Sequence, residues 1–178
     1  MGYTVEESGN KWVKVVNEAP EHRRFGVKHE VEQMFLGQYE HSVDEKGRMT
    51  IPARFREQLE NGAYLTRWFD KNLVVFTADD FTQIFDHVNA LSITDPAARA
   101  LRRLIFSNAE RVEFDRAGRI LIPQFLREAS EMENTAVVVG GGNYFEIWSD
   151  ALWQKQNAQL EDSEAVANSF ASLNLAFK

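Results

Sequence analysis

The sequence contains no cysteine and only four prolines, ten glycines and four histidines in 178 residues. Without thiols, neither a disulfide framework nor a thiolate metal site can form, which agrees with a reducing compartment. So little Gly and Pro excludes a collagen-like or low-complexity chain. No apolar run approaches the roughly 18 residues that a membrane span requires, and the first residues lack the short apolar stretch of a secretory signal. The expected location is the cytoplasm, away from membranes. His22, His29, His41 and His87 show no metal-ligand spacing among themselves, so neither a metal site nor a cofactor is predicted. A basic surplus is also missing. Twenty Lys and Arg stand against 27 Asp and Glu, a formal charge of −7, which taken alone argues against a partner as acidic as nucleic acid.

What is present is a core and a repeat. Thirteen Phe, four Trp and four Tyr in a chain 44% apolar supply enough bulk for one domain or two small ones. The segment DEKGRMTIPARFRE at 44–57 aligns without gaps on DRAGRILIPQFLRE at 115–128, an offset of 71, with seven of fourteen positions identical. The same offset pairs Asn72 with Asn143 and Asp79 with Asp150, and sets LVVF at 73–76 opposite YFEI at 144–147. Two copies are too few for a solenoid. They predict two similar halves packed with pseudo-two-fold symmetry.

One half can be read from its patterns. Tyr39, His41 and Val43 alternate with Glu40 and Ser42, as in a half-buried strand, and Asp-Glu-Lys-Gly is turn chemistry with Gly47 free to take a positive φ. A hairpin is expected, its second strand running to Ile51. Pro52 presets a short helix over 53–59, and strands at 63–67 and 73–76 follow across a turn at 68–72. Thr77 or Asp79 is placed to cap a helix bearing Phe81, Ile84, Phe85, Val88 and Leu91, and Asp95-Pro96 opens another that runs to about Ser107. The second copy repeats the plan and ends in a helix from Asp150. The fold class is mainly β with α, an α+β arrangement.

Enzyme motifs are lacking. VVVGGGN at 137–143 matches neither the dinucleotide nor the phosphate-loop pattern, and its counterpart RWFDKN at 67–72 has no glycine, so a strand-to-strand turn is the better account. No GxSxG nucleophile occurs, and Glu128 and Asp150 read as helix-terminal charges. No catalytic residue is assigned.

The repeated Asp-x-x-x-Arg pair carries the remaining signal. Asp44 and Asp115 are placed to hold their turns by accepting backbone N–H bonds and to pair with Arg48 and Arg119. Alternatively, each turn projects a cation from a rigid two-stranded ribbon, a shape that enters a DNA groove. Both readings stand on the residues alone, and they are compatible. Local charge favours the second: 44–56 carries a balance of +2 and 99–119 one of +3. Arg99, Arg102 and Arg103 read as a solvated helix face. Arg56 and Arg127 sit beside Glu57 and Glu128, where local ion pairing is an equally good account, so they are weaker candidates than the turn cations.

MFLGQYEHSVDEKGRMTIPARFRE at 34–57, together with DRAGRILIP at 115–123, resembles the MraZ family of bacterial transcriptional regulators, whose halves are similar to the AbrB-type DNA-binding domain. The resemblance spans about 34–160 and keeps both Asp-x-x-x-Arg motifs. It implies a tandem swapped-hairpin β-barrel, with repeats at 38–81 and 109–152, a helical linker at 82–108 and a C-terminal helix and tail at 153–178. It further implies a ring-shaped homo-oligomer that associates with the nucleoid. The partner would be double-stranded DNA at promoter direct repeats, with repression of the protein's own division and cell-wall gene cluster. DNA contact falls on Arg48 and Arg119, with Lys46 and Arg116 as neighbouring phosphate contacts, while Asp44, Gly47, Asp115 and Gly118 organise the turns. The second copy has Ala117 where the first has Lys46. Residues 1–33 lie outside the resemblance and are read either as a start assigned too far upstream or as an extension. An oligomeric scaffold or antitoxin-like partner is the competing reading.

Overall fold

The computed structural model describes residues 34–161 together with Val166, Phe170 and Leu173. The segment 1–33, with its alternative start, and most of the tail lie outside the described residues. The elements run in the order β1 (Gln38–Ser42), β2 (Arg48–Thr50), α1 (Ala53–Glu57), β3 (Ala63–Arg67), β4 (Leu73–Thr77), α2 (Ala78–Ala90), α3 (Pro96–Phe106), β5 (Glu110–Arg111), β6 (Arg119–Leu121), α4 (Gln124–Ala129), β7 (Thr135–Gly140), β8 (Tyr144–Ser149) and α5 (Asp150–Glu161). The helix starts follow the expected chemistry. Thr77 Oγ1 accepts the Asp80 N–H at 3.1 Å, and Asp95 accepts the Ala97 N–H at 2.8 Å with Pro96 in the first turn. Pro52 itself stays extended at ψ 136 as the residue before the helix, and α1 starts at Ala53 as expected but ends at Glu57, two residues short of 59.

Six strands form one sheet in the order β1-β7-β8-β4-β3-β5, and β2 and β6 form a separate two-stranded ribbon; all the pairs are antiparallel. The pairing interleaves the two halves. β1 lies on β7 and β5 on β3, each a strand of the other copy. Met49 faces Ile120 in the ribbon, and these are equivalent positions of the two copies. A local pseudo-two-fold axis therefore passes between them.

Two expectations are corrected. The arms of the expected hairpin diverge, because a single bridge, Val43 to Met49, joins β1 to β2 before each strand takes its partner from the other half. The barrel is consequently not closed: β1 and β5 end the six-stranded sheet, and the ribbon packs on one face of it as a second layer. β4 shows why that sheet needs cover on both sides. Leu73 and Val75 join Met49, Ile51, Phe55, Ile120, Ile122 and Leu126 beneath the ribbon, while Val74 and Phe76 join Phe81, Val88 and Ile105 beneath α2 and α3. A strand buried on both faces reads as an unbroken apolar run, as LVVF does.

Candidate nucleic-acid interface

Each Asp-x-x-x-Arg segment folds into the same closed turn. Asp44 Oδ1 accepts the backbone N–H groups of Lys46 at 3.0 Å and Arg48 at 2.9 Å, and Gly47 N–H donates to the Asp44 carbonyl at 2.8 Å. Its other oxygen, Oδ2, holds Arg48 Nε at 2.8 Å and Nη2 at 2.7 Å. Asp115 does the same, accepting Ala117 N–H at 2.8 Å, Arg119 N–H at 3.0 Å, and Arg119 Nε and Nη2 at 2.8 and 2.7 Å. Gly47 and Gly118 close the turns at φ +80° and +71°, where a side chain is disfavoured. The turn-building role and the Asp–Arg pairing expected of the motif are thus parts of one arrangement. The aspartate builds the turn with one oxygen and fixes the arginine with the other.

The turns also clasp each other. Ile122 N–H donates to Gly47 O at 2.8 Å, Ile51 N–H donates to Gly118 O at 3.2 Å, and Arg119 Nη1 lies 3.7 Å from Asp44 Oδ2. Alternation in the ribbon sends Met49 and Ile120 into the core, fully buried, and places Arg48, Thr50, Arg119 and Leu121 on the opposite face. Arg48 and Arg119 side chains are 35% and 32% exposed, so both guanidinium groups reach solvent from a fixed base. A guanidinium has five donors. For Arg48, Nε and Nη2 face Asp44, and Nη1 has no bonded partner among the described residues.

The charges reinforce this order. The paired Arg119 holds the Asp115 carboxyl down at about 2, and Arg48 lowers that of Asp44; Asp115, in turn, raises Arg119. Asp44, Asp115 and Arg119 are therefore ionised at neutral pH. Lys46 and Arg116 are exposed beside the turns, with no ion pair among the described residues.

Other expected cations are used internally. Arg56 and Arg127 make no ion pair with Glu57 or Glu128; each lies over the turn glycine of the other half. A β-carbon on Gly118 would stand 2.6 Å from Arg56 Cζ, and one on Gly47 would stand 2.7 Å from Arg127 Nε. This crossing is not legible in the sequence, because each arginine sits beside a glutamate there and meets the other half's glycine only in the folded chain. Arg102 is not simply solvated, because Nη2 donates to the carbonyls of Val88, Asn89 and Leu91 at 3.2, 3.1 and 2.7 Å and closes the end of α2. Arg99 similarly donates to Ile93 and Thr94 carbonyls, and Arg54 donates to Leu36 O and covers the Tyr39 ring. Of the basic residues considered, Arg48, Arg119, Lys46 and Arg116 remain directed at solvent around the paired turns.

The sequence pattern of the family described as "MraZ protein, putative antitoxin-like" matches residues 34–104 and again 105–173. The chain belongs to the MraZ family. It is 45% identical over 141 residues to the transcriptional regulator MraZ of Thermomicrobium roseum, covering 79% of this chain and 99% of that one. It is 49% identical over 121 residues to the same-named protein of Herpetosiphon aurantiacus, covering 68% and 85%, and 43% identical over 134 residues to that of Desulfitobacterium hafniense, covering 75% and 94%. The two MraZ matches each contain one Asp-x-x-x-Arg turn, so the family's duplication coincides with the two clasped sites. Among the described residues, no set of three or more His, Asp or Glu side chains is placed to hold a metal ion, and no helix is long and apolar enough to cross a membrane.

Proposed function

We propose that this MraZ-family protein is a sequence-specific DNA-binding transcriptional regulator, non-enzymatic and cofactor-free, which presents Arg48 and Arg119 to double-stranded DNA. The observation that carries this reading is the pair of aspartate-fixed guanidinium groups on one face of a two-stranded ribbon, with Lys46 and Arg116 beside them. An α-helix or such a ribbon fits the major groove, and fixed cations lose little freedom on binding. Curated relatives bearing a regulator's name support the reading.

Several finer points belong to this proposal. The interleaved pairing of β1 with β7 and β5 with β3 supports an AbrB-type swapped-hairpin relationship between repeats at 38–81 and 109–152, with 82–108 as a linker and 153–178 as a helix and tail. The target is a set of direct repeats in the promoter of the protein's own division and cell-wall gene cluster, which it represses in the cytoplasm at the nucleoid. A ring-shaped homo-oligomer reconciles this with a net charge of −7, since several weak sites on one DNA act at high effective concentration. Binding to the DNA upstream of its own gene, titrated against unrelated DNA, tests the reading; equal binding to both contradicts it.

The family description's word "antitoxin-like" favours a second reading. Here the basic turns hold a protein partner. Charge reversal at Arg48 distinguishes the two, because DNA affinity would then be unchanged.

A further inference from the structure

Leu121 is the anomaly of the ribbon. Its neighbours Ile120 and Ile122 are 1% and 0% exposed, whereas Leu121 is 59% exposed. It lies on the face that carries the fixed cations, directly opposite Arg48, and its equivalent in the first repeat, Thr50, lies directly opposite Arg119. Each arginine of the ribbon is thus paired across the strands with a side chain that bears a methyl group.

We propose that Leu121 reads a base: with the ribbon in the major groove, it covers the C5-methyl group of a thymine next to a guanine held by Arg48. Thr50 does the same with its smaller methyl beside Arg119. This inference rests on the DNA-binding reading above and assigns the groove and the base chemistry that it leaves open.

The dimensions agree. Residues opposite each other on an antiparallel pair have β-carbons about 5 Å apart, and residues two apart on a strand are separated by about 7 Å. Base pairs stack about 3.4 Å apart. The four-residue face therefore spans about two base steps, and an arginine and its cross-strand partner fall on neighbouring pairs. The chemistry selects the groove. Guanine O6 and N7 accept from arginine in the major groove, and the thymine methyl is the apolar group displayed there. The minor groove shows A·T pairs as bare acceptors, which a leucine would desolvate without replacing their hydrogen bonds. Nη1 of Arg48, without a bonded partner among the described residues, meets the first requirement and exposed Leu121 the second.

The test is a methyl deletion on both molecules. The DNA upstream of the protein's own gene is prepared with thymine or with uracil throughout, and both forms are titrated with the full-length natural protein, Leu121→Ala, Thr50→Ser and the double variant. The natural protein is expected to prefer the thymine form by about fourfold for each methyl group buried. Leu121→Ala should lose its share of that preference, and the double variant should bind both forms equally. An unchanged thymine-to-uracil ratio in Leu121→Ala overturns the inference, as does a change of oligomeric mass in that variant with the ratio unaltered. Absence of any thymine preference in a natural protein that still selects its promoter overturns the inference alone. Equal binding to promoter and unrelated DNA overturns the regulator reading and this inference with it.

Discussion

Arg119 stands between two carboxylates, its own Asp115 at 2.7 Å and Asp44 of the other repeat at 3.7 Å. Among the described residues Arg48 has only Asp44. The two turns are consequently unequal, and Asp44 serves both. Asp44→Ala should reduce DNA affinity more than Asp115→Ala, although each removes a negative charge that repels phosphate. The expected loss is about tenfold, the cost of ordering a freed arginine at the interface. Titration of one promoter fragment with both variants checks the order, and a larger loss in Asp115→Ala would refute it.

The same carboxylates contribute to the acid dependence of stability. Asp115 titrates at about 2 instead of its ordinary 3.8, and Asp44 is shifted the same way. Between about pH 4 and pH 2 the unfolded chain binds more protons at these sites than the folded one does. Their contribution is therefore complete above about pH 4 and is lost as the pH falls towards 2. Urea midpoints measured across this window should decline, and Asp115→Asn should remove part of the decline while leaving the slope at pH 6 to 8 unchanged.

The crossed arginines predict an asymmetric rescue. Alanine at Gly118 meets the flexible side chain of Arg56, whereas alanine at Gly47 meets the backbone carbonyl of Ile122 at 2.7 Å as well as Arg127. Both positions have positive φ, which itself costs about 1–2 kcal/mol for a residue with a β-carbon. Gly118→Ala should recover part of its lost stability when combined with Arg56→Ala. Gly47→Ala should not recover with Arg127→Ala. Thermal unfolding of the four variants decides the point.

Phe55 joins the site to the core, its ring 5.1 Å from that of Phe35, 5.2 Å from Phe145 and 5.6 Å from Tyr39. Phe55→Ala should cost about 3–5 kcal/mol in chemical denaturation, as truncation of a large buried aromatic does. Because α1 also carries Arg56, the second turn should loosen with it. Faster amide exchange at Gly118 and Arg119 than at Gly47 and Arg48 would show this.

Much of this architecture was legible because it is local. The caps Thr77 and Asp95 and the turns built by Asp44 and Asp115 follow from hydrogen bonds spanning two to four residues, and the strands around 63–67 and 73–77 show in their apolar runs across a short turn. Strand partnership is not local. Nothing in YEHSV indicates that it pairs with Thr135–Gly140 rather than with Arg48–Thr50, because both choices bury the same alternate side chains. Likewise, the use of Arg102 to close α2 depends on the angle at which α3 returns, and Arg56 finds Gly118 only after the two halves meet. The Asp-x-x-x-Arg residues stand out in the sequence because the repeat doubles them, while Leu121 is hidden within an apolar stretch that reads as core.

The account depends on both fixed arginines contacting DNA, and a salt series of binding to the DNA upstream of the protein's own gene tests this most directly. The natural protein should prefer that DNA over unrelated DNA. Arg48→Ala and Arg119→Ala should each bind more weakly, with a shallower dependence on salt for every phosphate that is no longer neutralised. Equal, feeble binding by all three proteins would contradict it and leave both Asp-x-x-x-Arg pairs as turn-building elements alone.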